Sequence, residues 1–311
     1  MTTMMRLYSE MNLFLEALVV ENQDGIETEI FLLSDHVNAL DKAFELFRLN
    51  YRQNNWNEAD HVANHILFLA ERMYENKKKW GELVIPLNQM LKRPLIFYFG
   101  YGYLAKSIVF LKQGLFDRAR EYIAKYVDLS WYEDATDEDI EEIERFKGFA
   151  KANGYAVDLL SGKKELLKEY VDFIFENDEE TLPGLVTIFE AANLNEWNID
   201  DYYYSLIPTQ LDTFSEFEDL GNRVYYVKLL NQLAAYNLNQ RRYDISINYI
   251  LDYMQIAVTM DIYREFITTI GMFENVRNLA TTEQLIKYQN ILQEVHHEKS
   301  FSSYIYADDI S

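Results

Sequence analysis

The sequence predicts an all-α fold, an α-solenoid in which antiparallel helix pairs stack into a right-handed superhelix. The first observation is the scarcity of helix-breaking residues, since the chain of 311 residues has 11 Gly and 4 Pro. Few breakers indicate long helices with short connections. The second is that its 24 Tyr and 19 Phe recur mostly three or four residues apart, which is helical spacing. The third is a set of helical offsets that returns at a near-constant interval.

The clearest helix pair lies around the stretch KQGLFDRAREYIAKY, residues 112–126. Offsets of 0, 3, 7 and 10 place four residues on one helix face, namely Phe116, Ala119, Ile123 and Tyr126. We expect Gly114 to adopt the left-handed conformation that ends the preceding helix. The segment therefore predicts a helix, a tight turn and a second helix, with Phe116 buried between the two.

Second helices with the same offsets are predicted to begin at Trp80, Phe116, Lys164, Tyr204 and Tyr243. These starts lie 36, 48, 40 and 39 residues apart. The glycine, aromatic and small-residue positions of Gly114, Phe116 and Ala119 resemble a tetratricopeptide-type repeat. In the last unit Arg241 and Ser246 replace the glycine and the small residue, so the repeats are degenerate. Tyr243 is expected to be buried in the same way as Phe116.

The organisation predicted along the chain is an N-terminal helical cap over residues 1–55, a repeat array over 56–298 and a C-terminal tail over 299–311 without a helical pattern. No proline- or glycine-rich linker divides the array, which favours one continuous domain. The longest interval between repeats contains the acidic segment 128–146. Within that segment Thr136 is predicted to cap the start of a helix.

Composition argues against several classes of function. A net charge of −22 repels phosphate backbones and anionic lipid, so we expect no direct nucleic-acid binding and no membrane association. The absence of cysteine excludes disulfides, thiolate zinc sites and thiol nucleophiles. The longest apolar run, residues 94–105, is too short to cross a bilayer, and no signal-peptide pattern is found. These features predict a cytoplasmic protein.

No catalytic residue, metal site or cofactor is predicted. His61 and His65 lie four residues apart beside Asp60, a spacing that can hold a metal, but two polar positions at a packing seam are the favoured interpretation. The acidic run over 137–144 lacks the glycine turn of a calcium loop. The glycines of FGYGYLA lack the strand and the lysine of a phosphate-binding loop. We therefore expect them to let two helices approach closely.

The candidate binding residues lie on the first helix of each repeat, which lines the concave surface when helix pairs stack. They are Lys151 and Asn153 in the unit before Lys164, and Arg223, Tyr225, Lys228 and Asn231 in the unit before Tyr243. Asparagine offers a donor and an acceptor that match a peptide group, and a cation can hold a carboxylate. The alternative is that these six side chains are ordinary solvated helix positions.

The stretch EEIERFKGFAKANGYAVDLLSGKKELLKEYVDFI, residues 141–174, resembles the helical-repeat region of Gram-positive helix-turn-helix regulators, typified by the peptide-sensing Rap, PlcR and NprR-like proteins. The resemblance implies a tetratricopeptide-like array that binds a short peptide or a partner protein, with a link to transcriptional regulation. The chain departs from that group because no helix-turn-helix is found in residues 1–55, which are acidic overall. DNA binding and Rap-type phosphatase activity are therefore not implied.

The sequence thus predicts a non-catalytic regulator that binds a short peptide or a partner protein in the concave groove of its repeats. Two alternatives stay open at this point: a structural scaffold or adaptor subunit, and a phosphatase-type or carboxylate-dependent hydrolase. A groove lined by Asn, Tyr and Lys favours the regulator, whereas a pocket of carboxylates with raised pKa values favours the hydrolase. A homodimer is also left open.

Overall fold

The fold is described by a computed structural model that covers residues 39–51, 53–80, 91–259 and 263–305. Within these ranges every regular element is helical and no β-strand occurs, which confirms the all-α prediction. None of the helices in these ranges combines the length and apolar character needed to span a membrane. The chain divides into two compact units, residues 1–150 and 151–311. The border between them falls inside one long helix.

Unit 1 is built around a central apolar helix. Its elements are α1 (39–51), α2 (Trp56–Trp80), α3 (Leu95–Lys112), α4 (Phe116–Tyr126) and the first part of α5 (Asp137–Leu160). The central helix is α3, which packs against both α2 and α4. Every residue from Leu95 to Gly100 is buried, because a helix that is apolar nearly all round must be covered on all sides.

Two glycines of α3 allow this close packing. A Cβ atom added at Gly100 would lie 2.4 Å from the ring of Phe146, and one added at Gly102 would lie 2.6 Å from the side chain of Leu67. Real Cβ atoms do not approach their neighbours this closely, because the interior is already filled at crystal-like density. The prediction that the glycines of FGYGYLA serve helix approach is therefore confirmed.

A buried ion pair joins α2 to α3. The Nζ atom of Lys106 lies 2.5 Å from the carboxylate Oδ1 of Asp60, and the two side chains are 4% and 28% exposed. The same ammonium lies 4.8 Å from the ring centre of Phe110 and 5.4 Å from that of Tyr122. Lys106 is thus held by one carboxylate and two aromatic faces.

Unit 2 continues the helical architecture through eight helices. They are the last part of α5, then α6 (Leu167–Glu176), α7 (Asp178–Leu194), α8 (Asp200–Ser215), α9 (Leu220–Asn239), α10 (Tyr243–Thr259), α11 (Tyr263–Val276) and α12 (Thr282–Ile305). Short 3-10 helices over Lys164–Leu166 and Arg277–Leu279 precede α6 and α12. Helix α9 packs against α7, α8 and α10, and α10 packs against α11 and α12.

Helices α10 and α12 run in the same direction. Three side-chain pairs meet along them in the same order, namely Asp244 with Gln284, Asp252 with Lys287, and Gln255 with Glu294. The helix between them, α11, is joined to each by a short connection and packs against α10. Helix α10 therefore packs against both of the helices that follow it, α11 and α12.

Side chains also link successive turns of unit 2. The amide of Asn195, after α7, donates to the carbonyl of Leu159, near the end of α5, at 3.5 Å. Lys164 donates to the carbonyl of Asn198 at 3.0 Å. The Asn198 amide then donates to the side chain of Gln240, after α9, at 3.2 Å. Side-chain hydrogen bonds therefore join the α5–α6 turn to the α7–α8 turn, and the α7–α8 turn to the α9–α10 turn.

The predicted repeat register is correct at two α-helix starts and displaced at others. Lys164 begins a short 3-10 helix, and α6 itself begins three residues later, at Leu167. Phe116 and Tyr243 begin α4 and α10 as predicted. Helix α8 begins at Asp200 instead of Tyr204, directly after a turn in which the Asn198 side chain accepts the Asp200 backbone N–H at 3.1 Å. Trp80 ends α2 instead of beginning a helix, and the predicted positions after it lie outside the described residues.

The expected burial of the leading aromatic residues was wrong. Phe116 is half-buried and Tyr243 is 36% exposed. The first residue of each helix lies at the open end of the helix pair. The positions that follow are fully covered, as Ala119, Ile123 and Ser246 illustrate. The pattern therefore identified the buried face while misplacing its first member.

Local signals at helix ends were predicted well. Gly114 has φ +73°, the left-handed conformation expected of it. The Thr136 hydroxyl accepts the Asp139 backbone N–H at 3.3 Å, and the Asp139 carboxylate accepts the Thr136 backbone N–H at 2.9 Å, which is a reciprocal capping arrangement. Helix α12, however, continues to Ile305, into the segment predicted to lack a helix, since no Gly or Pro interrupts it there.

Candidate functional site

Four of the six predicted binding residues lie on α9, and they do not share one side of it. Tyr225 is 37% exposed, and the Nζ atom of Lys228 lies 5.4 Å from the centre of its ring. Asn231 is half-buried, at the edge of the same side. Arg223 lies two residues before Tyr225, which corresponds to about 200° around a helix. The structure therefore brings Tyr225 and Lys228 together and directs Arg223 elsewhere.

The two predicted residues on α5 are also separated. Lys151 is exposed, and its Nζ atom lies 4.7 Å from the ring centre of Phe173 on α6. On the same side, the Tyr155 hydroxyl donates to Glu169 of α6 at 2.5 Å. Asn153 is two residues from Lys151, hence on the other side of the helix, and is half-buried. Lys151 thus lies against α6.

Three amide side chains connect α7 to α9 beside Lys228. The Asn193 amide donates to the backbone carbonyl and to the side-chain oxygen of Gln232, both at 2.9 Å. The Asn239 amide donates to the Asn193 oxygen at 3.4 Å. We name Asn193, Gln232 and Asn239 the amide row. It places the C-terminal ends of α7 and α9 side by side and presents amide groups at a surface, since Asn239 is exposed.

The amide row continues the surface that begins at Tyr225. Successive steps of 3, 4 and 7 residues lead from Tyr225 to Lys228, then to Gln232 and then to Asn239. This spacing places all four residues on one side of α9. We name these four residues, together with Asn193 and Glu190 of α7, the α7–α9 face. Glu190 precedes Asn193 by about one turn, as Lys228 precedes Gln232. One end of the face therefore carries both charges, and the other end carries neutral amides.

Arg242, in the turn between α9 and α10, connects that turn to the start of α8. Its Nη1 atom donates to the Asp200 carboxylate at 2.8 Å and to the Tyr204 hydroxyl at 2.9 Å. The Tyr236 hydroxyl donates to the same carboxylate at 2.8 Å and accepts the Ile199 N–H at 2.9 Å. Burial acts to raise the pKa of Asp200, but hydrogen bonds from Tyr236 and Arg242 outweigh it and lower that pKa. Burial, together with the bond to Asp200, raises the pKa of Tyr236 to about 12.

The histidine pair considered for a metal has a different setting. Asp60 is bound to Lys106 and also accepts the Asn64 amide at 3.3 Å, so its carboxylate is already engaged. Burial lowers the pKa of His65, because an apolar contact between helices disfavours the charged imidazolium. His61 is exposed. Within the described part of the chain, no three His, Asp or Glu side chains come together as a metal site would require.

Carboxylates suited to acid–base chemistry are also not concentrated on the α7–α9 face. Burial, followed by the charge of neighbouring Glu179, raises the pKa of Glu180. Both residues lie in the first turn of α7, while the amide row lies at its other end. The carboxyl group with the raised pKa therefore lies away from the amide row.

Sequence reasoning missed the amide row. Gln232 and Asn239 could have been found by extending the register of Tyr225 and Lys228 along the same side of α9. Asn193 could not have been found this way, because it belongs to another helix and its position depends on how α7 packs against α9.

In comparisons with known proteins, no protein-family model matches the chain. No curated protein and no solved structure matches it either. The likeness to peptide-sensing regulators therefore stays a resemblance of sequence pattern, and the functional conclusion rests on the geometry of the α7–α9 face.

Proposed function

We propose that this chain is a non-catalytic binding protein that holds an extended peptide, or an extended segment of a partner protein, along the α7–α9 face. The observation that carries the proposal is the single row of Tyr225, Lys228, Gln232 and Asn239 on α9. This row combines an aromatic surface, one cation and two amides. The resemblance to peptide-sensing regulators supports a regulatory role.

The length of the row fits a short peptide. Tyr225 and Asn239 are separated by about 21 Å along the helix axis, at 1.5 Å per residue. An extended chain of about six residues covers the same distance, since each residue advances it by about 3.4 Å. A ligand of this size can contact the aromatic end and the amide end at once.

The chemistry of the row fits a polypeptide backbone. The Gln232 oxygen and the Asn239 NH2 group already bond to Asn193. The Gln232 NH2 group and the Asn239 oxygen offer a donor and an acceptor, which are the two groups that pair with an extended peptide. Lys228 can hold a carboxylate at the Tyr225 end of the row. Tyr225 supplies a rigid ring that buries apolar area at low entropic cost, as aromatic residues do at binding hot spots.

Contacts elsewhere in unit 2 support a proposed architecture. Within unit 2 we propose that the helix pairs form a right-handed superhelix, with the α7–α9 face on its concave side. The parallel course of α10 and α12 and the links between successive turns support this arrangement. When helix pairs stack in a superhelix, the first helix of each pair lines the concave surface.

Selection from a random heptapeptide library against the full chain tests the proposal. The affinity of an enriched peptide is then measured by calorimetry for the wild type and for two variants of the row. We expect Tyr225→Ala to weaken binding by about tenfold or more. Gln232→Ala should weaken it by a few-fold to about tenfold, since a hydrogen bond contributes ~0.5–1.5 kcal/mol.

Matched controls separate the face from general effects. Tyr243→Ala removes a tyrosine of nearly the same exposure, 36% against 37% for Tyr225, from a different helix. Gln289→Ala removes an exposed glutamine of α12. Both controls should bind like the wild type. Failure to enrich any peptide, or equal losses in the row variants and the controls, would refute the proposal.

A further inference from the structure

Helix α8 (Asp200–Ser215) is firmly held in its first half. The Asp200 carboxylate accepts hydrogen bonds from Tyr236 and from Arg242, each at 2.8 Å. One turn later, the hydroxyl of Tyr203 lies 3.3 Å from that of Tyr249 on α10. Tyr203 and Ile207 are buried. This half is therefore attached to both α9 and α10 by polar and apolar contacts.

Pro208 interrupts the helix directly after this attached half. Proline has no backbone N–H, so the Tyr204 carbonyl lacks the partner that a helix would supply four residues later. The proline ring also crowds that carbonyl, and prolines inside helices are common points of bending. Pro208 is exposed, so surrounding side chains do not clamp it in place.

The second half of α8 buries fewer side chains, although Leu211 packs half-buried against the core cluster that contains Leu230 and Ile247. After Pro208, Phe214 is the buried residue of this helix. Its ring contacts Phe217, 5.7 Å away between centres, in the segment that follows α8. The hydroxyl of Ser215 donates to the carbonyl of Asp212 at 2.7 Å, a bond that stays inside the half. Helix α7, of similar length, buries nine residues spread from Thr181 to Ala192.

We propose that α8 is hinged at Pro208, so that residues 208–218 open away from α9 and α10 while residues 200–207 stay attached. The opening uncovers Phe214 and the neighbouring half-buried Leu211. It also changes the start of α9, because Asp219, the residue after the moving segment, caps that helix by accepting the Asn222 backbone N–H at 2.9 Å. The hinge is a conformational device of the fold and does not depend on the proposed peptide site.

Thiol labelling tests the hinge cleanly, because the chain has no cysteine of its own. A single cysteine is placed in each half of α8 at positions of similar burial, Phe214→Cys (4% exposed) and Ile207→Cys (1% exposed). Under native conditions we expect labelling at position 214 to be faster by about tenfold or more, since local opening needs less free energy than global unfolding. Equal rates at the two positions would overturn the proposal.

Substitution of the proline provides the second arm. Pro208→Ala restores the missing N–H, so labelling at position 214 should slow by at least about threefold while labelling at 207 stays unchanged. Pro183→Ala, in the densely packed α7, is the matched control and should change neither rate. An unchanged rate at 214 in Pro208→Ala would refute the hinge.

Hydrogen exchange of the unmodified chain covers the case in which a cysteine variant fails to fold. Backbone amides of residues 209–216 should exchange faster than those of residues 201–207, by about tenfold or more after correction for intrinsic rates. Similar protection in both halves would show that α8 opens as one piece and would overturn the proposal.

Discussion

Asp60→Ala should destabilise unit 1 more than Lys106→Met, although the two changes break the same ion pair. Lys106 is 4% exposed and Asp60 is 28% exposed. Removing the carboxylate leaves an ammonium that cannot reach water, and an unpaired buried charge typically costs ~3–5 kcal/mol. The partial exposure of Asp60 places the expected loss near the lower end, at about 3 kcal/mol.

Lys106→Met removes the buried charge and keeps a side chain of similar length. The remaining Asp60 carboxylate is partly exposed and still accepts the Asn64 amide, so it can be rehydrated. A volume-conserving replacement of this kind costs less than about 1.5 kcal/mol. The difference between the two variants therefore comes from which partner can return to water.

Urea unfolding of the wild type, both single variants and the double variant measures these free energies. Lys147→Met serves as the control, because its pair with Glu144 is 60% and 64% exposed and exposed pairs contribute little. Equal losses for Asp60→Ala and Lys106→Met, or a smaller loss for Asp60→Ala, would refute the reasoning from burial.

Three further outcomes are expected. Gly100→Ala should lower the unfolding free energy by about 1–3 kcal/mol, since its Cβ would meet an aromatic ring at 2.4 Å. Gly148→Ala, which meets open space, should raise it by about 0.4–1 kcal/mol; thermal melts of both variants check the opposite signs. Thr136→Ala should cost about 1 kcal/mol by removing a helix cap, and a normal melting temperature would contradict this. Arg242→Gln should raise the pKa of Asp200 toward the pH at which an ordinary aspartate titrates, because it removes a hydrogen bond and a positive charge. The wild type gains stability from the lowered pKa above that pH and loses it as the pH falls through the folded-state pKa, so urea unfolding between pH 6 and 2.5 should be less pH-dependent in the variant.

The helix boundaries were predictable where the signal is local. Gly114 and Thr136 act through their own backbone and that of near neighbours, so their roles follow from sequence. Tyr243 also begins a helix as predicted. Tyr204 does not, because α8 begins about one turn earlier, at Asp200. The turn before it uses the Asn198 side chain, a residue type that can bond several backbone groups.

The candidate site was predictable only in part. Tyr225 and Lys228 come together on α9, as their spacing of three residues predicts. Arg223 was grouped with them although it points to another side, since a helix turns by about 100° per residue and the side that stays uncovered is decided by the packing of α7 and α10. The position of Asn193 could not be predicted from the sequence, because it depends on how α7 packs against α9. The burial of Lys106 could not be predicted either, because it depends on how α2 packs against α3.

The ties between successive turns have a mechanical consequence. Asn195 reaches back to Leu159, and Asn198 reaches forward to Gln240, so each bond joins adjacent turns. A pulling force applied at the C-terminal end loads the outermost tie first, and its rupture transfers the load to the next one. Where coupling is between nearest neighbours, unit 2 should yield in several small force steps, helix pair by helix pair, instead of in one large rupture.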